Sequence, residues 1–114
     1  MIISLYAGKC CVTGIDVPKL LRASHIVPWA DDMEHRMNPE NGLCLSGPYE
    51  LAFDQHLISF DEDYRMIIGK EIRDHFTNSA VHDYFYKYEG KRITQPSKFL
   101  PSQSMLQMHR ELLR

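Results

Sequence analysis

No apolar run in this chain of 114 residues approaches the ~20 residues that span a bilayer. The opening Met-Ile-Ile-Ser-Leu-Tyr-Ala-Gly has no basic stretch ahead of its short apolar segment, so it does not read as a signal peptide. No membrane association is expected, and cytoplasmic residence is the default. Cysteine is scarce, with only Cys10, Cys11 and Cys44. An odd count without a CxxC pair argues against a disulfide framework and against a four-cysteine zinc site. The thiols therefore read as reduced and partly buried, and no structural zinc is expected. Excess positive charge is missing too: thirteen Lys and Arg face fifteen Asp and Glu, for a net charge of −2. A domain that holds nucleic acid by bulk charge is thereby disfavoured, although charge can be local. Residues 1–60 carry four basic and seven acidic side chains, and residues 61–114 carry nine and eight. The second half is thus the one equipped to touch phosphates. Repeats, low-complexity tracts and long linkers are also absent, and the length suits one domain with one modest core.

The pattern that remains is mixed. Residues 9–13 read as a short strand ending at Gly14, and residues 20–26 as a second strand stopped by Val27-Pro28, since proline cannot donate to a ladder. A polar loop with four acidic residues follows, from Ala30 to about Glu40. Asn41-Gly42 signals a turn, and Leu43-Cys44-Leu45 a returning strand. Ser46 and Pro48 mark a helix start over residues 47–55, with Leu51 and Phe53 on its expected buried side. Residues 56–60 and 64–68 flank Asp61-Glu62-Asp63 as a β-hairpin. Helices are expected over 70–76, 80–88 and 101–113, the last with Met105, Leu106, Met108, Leu112 and Leu113 at helical spacing.

Several side chains in this frame can carry chemistry. His25 ends an apolar strand, and an imidazole can act as a neutral base near pH 7. A hairpin would bring Asn41 back beside it, where the amide oxygen can accept the Nδ1 proton and leave Nε2 free. Glu50 and Asp54 stand four apart on one helix face, a spacing that suits a hard divalent cation. His56 lies just beyond. Such a set permits metal-assisted phosphodiester hydrolysis.

The blocks Cys-Cys-Val-Thr-Gly (10–14), Leu-Leu-Arg-Ala-Ser-His-Ile-Val-Pro-Trp (20–29), Asn-Pro-Glu-Asn-Gly-Leu-Cys-Leu-Ser (38–46) and Leu-Ala-Phe-Asp-Gln-His-Leu-Ile-Ser-Phe-Asp (51–61) resemble the HNH endonucleases, in particular a subgroup found in bacterial restriction and defence nucleases. The resemblance covers residues 9–68, and Leu100-Pro101, Leu106 and His109-Arg110 resemble the closing helix of that subgroup. It implies an α+β fold with a ββα-metal core, a β-hairpin and added C-terminal helices. It also implies a DNA endonuclease using one divalent cation, Mg²⁺ or Mn²⁺. By the resemblance His25 is the general base, Asn41 orients it, and Glu50 falls where the family often has a histidine. Asp54, Ser24 and His56 complete the candidate metal set. Ser24 departs from the Asp or His that many members carry before the catalytic histidine, and the zinc-binding cysteine pairs of other branches are missing. The resemblance further implies that DNA targeting comes from another domain or a homodimer, with this chain either a piece of a larger protein or a small one standing alone.

Plainer roles exist for the same residues. Asn41 before Gly42 suits a turn, Glu50 suits a helix start, Asp54 suits a brace, and Trp29 suits loop packing. In Tyr-Phe-Tyr-Lys-Tyr-Glu-Gly-Lys-Arg (84–92), Lys87, Lys91 and Arg92 are candidate phosphate contacts, against a solvated basic helix end. The alternative to the nuclease is a module of the same fold that binds DNA or a protein without cleaving.

Overall fold

A computed structural model describes residues 1–28 and 37–114. Trp29 and most of the acidic loop lie outside the described residues. After a short N-terminal helix, α1 (Ile2–Leu5), the chain builds one antiparallel pair of strands, β1 (Leu21–His25) and β2 (Gly42–Ser46). Leu21 faces Ser46, and His25 faces Gly42. A helix follows directly, α2 (Gly47–Asp54), and packs on both strands. A second antiparallel pair, β3 (Ile58–Phe60) and β4 (Met66–Ile68), comes next. Three helices complete the chain: α3 (Lys70–Arg73), α4 (Ser79–Phe85) and α5 (Gln103–Glu111). Small antiparallel sheets with helices around them make the class α+β. No described helix is long and apolar enough to cross a membrane.

Local chemistry explains most boundaries. β1 starts from a single 3₁₀ turn at Pro18–Leu20 and ends short of Pro28. Before β2, the Asn38 side chain accepts from the Glu40 N–H and Pro39 opens a 3₁₀ turn over Pro39–Asn41. Asn41-Gly42 is therefore no free-standing turn. Asn41 closes the 3₁₀ segment, and Gly42 is already the first residue of β2. Asn78 and Ser102 cap α4 and α5 with side-chain oxygens.

Three expectations need correction. The strand expected over residues 9–13 is replaced by a turn, because Gly14 N–H bonds the Cys10 carbonyl at 2.9 Å and Cys10 N–H bonds the Ile15 carbonyl at 2.9 Å. Only Cys11 reaches the sheet, through its N–H to the Cys44 carbonyl. Leu51 is 59% exposed, since the buried stripe of α2 runs through Tyr49, Ala52 and Phe53 at i, i+3 and i+4. On α5 the buried face is Met105, Leu106 and His109, while Met108 and Leu112 are exposed. The three thiols are free and buried, as the cysteine pattern suggested.

The core joins both halves. Leu43 and Leu45 of β2, Phe53 of α2, Ile58 and Phe60 of β3, and Leu106 of α5 are all fully buried. The last residue is sewn in as well: Arg114 N–H bonds the His56 carbonyl at 2.8 Å, and Glu71 N–H bonds the Arg114 oxygen at 2.7 Å. Gly69 makes room for that crossing. A Cβ there would stand 2.5 Å from the Arg114 carbonyl carbon and 3.1 Å from the Leu57 oxygen, both backbone atoms. Gly69→Ala is therefore expected to destabilise the fold by about 1–3 kcal/mol through overpacking, read as a lowered midpoint in urea unfolding.

Candidate active site

The ββα unit and the C-terminal helix meet at a pocket of about 180 Å³, lined by Ala23, Ser24, His25, Ile26, Pro28, Glu50, Phe53, Asp54, His56 and His109. Five of the side chains singled out in the sequence thus share one cavity. β1 delivers Ser24 and His25 at its end, α2 delivers Glu50 and Asp54 one turn apart, and the chain leaving α2 delivers His56. His25 and Asp54 are exposed, Glu50 and His56 half-buried, and Ser24 buried. The Ser24 hydroxyl is buried without a hydrogen-bond partner among the described residues, an uncommon state for a polar atom.

Asn41 does not line this pocket, and it is fully buried. Its amide oxygen accepts from the Val27 N–H at 2.9 Å, and its amide nitrogen donates to the Val27 carbonyl at 3.0 Å. The Ile26 N–H bonds the Asn41 carbonyl at 3.1 Å. The amide oxygen expected to face the His25 imidazole accepts from the Val27 backbone. Asn41 fixes the two residues that follow His25, which ties it to the histidine through the main chain. Removing the amide strands both Val27 groups, each costing about 1–3 kcal/mol when buried unpaired. Asn41→Ala should lower stability by more than 2 kcal/mol on this basis, while Asn41→Asp should lose chiefly the bond to the Val27 carbonyl; chemical denaturation separates the two.

Among the described residues, no three of His, Cys, Asp and Glu stand together in an arrangement that could hold a metal ion. The donor chemistry nevertheless suits a hard divalent cation: two carboxylates on one helix face, an imidazole opposite, and an orphan hydroxyl line the same cavity.

His109 is the residue that sequence reasoning missed. It comes from α5, distant in sequence, and is 3% exposed. Its Nε2 lies 2.8 Å from the Phe53 carbonyl and its Nδ1 lies 2.8 Å from the Ser59 hydroxyl. A carbonyl only accepts, so Nε2 carries the proton and Nδ1 accepts from Ser59. Burial pushes the imidazole down to about 4, against a weaker opposing pull from the Phe53 carbonyl. The signal was present in the spacing, because residue 109 lies four after Met105 and three after Leu106, on the face that packs inward.

The three basic candidates sit elsewhere. Lys87, Lys91 and Arg92 are exposed, and among the described residues none lines the pocket. The Lys87 and Lys91 ammonium groups lie 5.5 Å and 5.7 Å from the centre of the Tyr88 ring, and Arg92 Nε donates to the Asp63 carbonyl at 3.1 Å. Tyr88 packs edge-on against Tyr49 of α2 at 5.8 Å, so the basic segment is anchored to the helix that carries Glu50 and Asp54.

A histidine kept neutral in the folded state makes stability depend on pH. Between the folded value near 4 and the unfolded value near 6.5, the unfolded chain binds the proton and the folded one does not. The stabilisation is therefore full above pH ~6.5 and is lost as pH falls toward 4, by about 3 kcal/mol in total. Urea unfolding across that window should show the slope, and His109→Gln should flatten it.

Residues 10–61 match the family model described as HNH endonuclease. No curated protein matches the chain.

Proposed function

We propose, from the match of residues 10–61 to the HNH endonuclease family model, that this pocket hydrolyses phosphodiester bonds of DNA. The observation that carries the reading is the convergence of His25, Glu50, Asp54 and Ser24 on one cavity, from β1 and α2. His25 takes a proton from a water molecule, and the water oxygen forms a bond to phosphorus. The bond from phosphorus to the 3′-oxygen breaks, and that oxygen takes a proton from solvent. Asn41 acts as a positioning residue through Val27, holding the chain that leaves β1 so that the His25 ring keeps its place. Glu50 and Asp54 would hold the divalent cation, Mg²⁺ or Mn²⁺, with Ser24 as a neutral donor beside them. When bound, that cation neutralises charge on the phosphate and on the leaving oxygen.

Lys87, Lys91 and Arg92 extend the reading to flanking phosphates, where exposed cations position a duplex without reading its sequence. Target choice falls to a further domain or to a second copy of the chain, in a cytoplasmic restriction or defence role.

Plasmid cleavage in EDTA, Mg²⁺ or Mn²⁺ tests the reading. The expected result is nicking or linearisation with metal, none in EDTA, and loss of about 10²-fold or more in His25→Ala, the usual scale for a missing general base. His25 is exposed, so the variant should keep the melting temperature of the parent. Duplex binding without cleavage under any metal would instead favour a binding module on the same fold.

A further inference from the structure

The pocket is lined by two histidines that the scheme above leaves idle, His56 and His109. His56 sits just past α2 with φ +61°, in the left-handed region that costs a residue with a Cβ about 1 kcal/mol or more. The chain holds it there firmly. His56 N–H bonds the Phe53 carbonyl at 3.1 Å, and the His56 carbonyl accepts from Arg114. Its ring is stacked on His109, with centroids 4.3 Å apart and planes 21° from parallel. The other neighbour of His109 is Phe53, stacked at 3.9 Å and 12°. Two rings cannot occupy the same face of a third at such distances, so His109 is the middle layer of a Phe53–His109–His56 sandwich.

The middle ring cannot turn. Both of its nitrogens are engaged, one by the Phe53 carbonyl and the other by the Ser59 hydroxyl. It can therefore serve as neither base nor ligand, but it fixes the plane of the ring lying on it. His56, by contrast, is half-buried, lines the pocket, and has no ring-nitrogen hydrogen bond to any described residue. A strained backbone and a clamped ring with an unused N–H, facing a polar cavity, form an arrangement that packing alone does not require.

We propose that His56 is a second substrate-facing imidazole of this pocket, donating its N–H to an oxygen of the DNA phosphate, and that His109 is the positioning residue that sets its ring. The inference rests on the nuclease reading for the identity of the substrate. The sequence offered His56 as a metal ligand. The geometry favours the phosphate, because the His56 ring is held by its stack on His109 and its position is set from α5 and not from the helix that carries Glu50 and Asp54.

The test uses the full chain and a fluorescein-labelled DNA duplex, with anisotropy read in EDTA, so that neither turnover nor metal enters. His56→Ala should weaken binding about tenfold, the scale of one hydrogen bond to a charged oxygen. His109→Gln, which lacks the ring, should weaken binding in the same direction, whereas His109→Phe, which keeps a ring, should retain more of the affinity. In proton spectra the His56 ring signals should be shifted upfield by the stack and relax downfield in His109→Gln, a signature that a purely structural role for His109 toward α2 would not give. Where the enzyme turns over, His56→Ala should raise KM more than it lowers kcat. Unchanged duplex affinity in folded His56→Ala overturns the proposal, even if His25→Ala abolishes cleavage and the nuclease reading stands. A loss that appears only with Mn²⁺ present and not in EDTA also overturns it, because His56 would then act through the metal. Duplex binding that depends on His56 in a chain that never cleaves supports the contact and removes the nuclease reading instead.

Discussion

A single buried amide holds the pocket end of this molecule in shape. The Asn41 amide oxygen accepts from the Val27 N–H and the amide nitrogen donates to the Val27 carbonyl, where β1 has run out of strand partners. Without that pairing, Val27 would bury an unanswered N–H and carbonyl next to Pro28, which has no N–H to share. The amide therefore does for the end of β1 what a further residue of β2 would have done, and it leaves the chain free to turn away. His25 precedes this anchor by two residues. Its place at the rim of the pocket follows from a strand that must stop there and from a side chain that makes stopping tolerable.

The second constraint is the burial of His109. An imidazole in the core is costly unless both nitrogens are satisfied, and here they are satisfied by two different elements, α2 through the Phe53 carbonyl and β3 through Ser59. The bonds have direction, so they set the rotation of α5 as well as its distance. Apolar packing of Met105 and Leu106 alone would tolerate sliding, while two directional bonds from one rigid ring do not. The stack of Phe53, His109 and His56 then passes that order on to the pocket wall.

Much of this was legible in the sequence. The returning strand, the helix after Ser46, the hairpin around Asp61-Glu62-Asp63 and the closing helix follow from local turn and capping chemistry and from helical spacing, signals carried within a few residues. The convergence of Ser24, His25, Glu50, Asp54 and His56 was legible because strand, strand and helix are consecutive, so proximity along the chain becomes proximity in space. What failed depended on contacts that local pattern does not encode. Cys10 to Thr13 read as a strand because apolar residues there suit one, and two turn bonds decided otherwise. Leu51 read as buried because α2 is apolar on more than one side, and only the position of the sheet selects the Tyr49, Ala52 and Phe53 stripe. The pairing of the Asn41 amide with the Val27 main chain was not legible either, because it depends on the path the chain takes after His25.

His109 shows a different limit. The match to the HNH endonucleases spans residues 10–61, yet the pocket takes part of its wall from a helix that starts at Gln103. A cut at the end of the matched segment would remove the ring that pairs with Ser59 and lies between Phe53 and His56. It would leave the Ser59 hydroxyl buried or newly wet, and the face of Phe53 uncovered. The same cut would remove Arg114, whose N–H holds the His56 carbonyl. The ββα unit supplies most of the pocket's polar lining, while the C-terminal helix supplies the order that keeps one wall of it fixed. In physical terms the two are one site, because the neutral buried imidazole that docks the helix is itself part of the cavity lining.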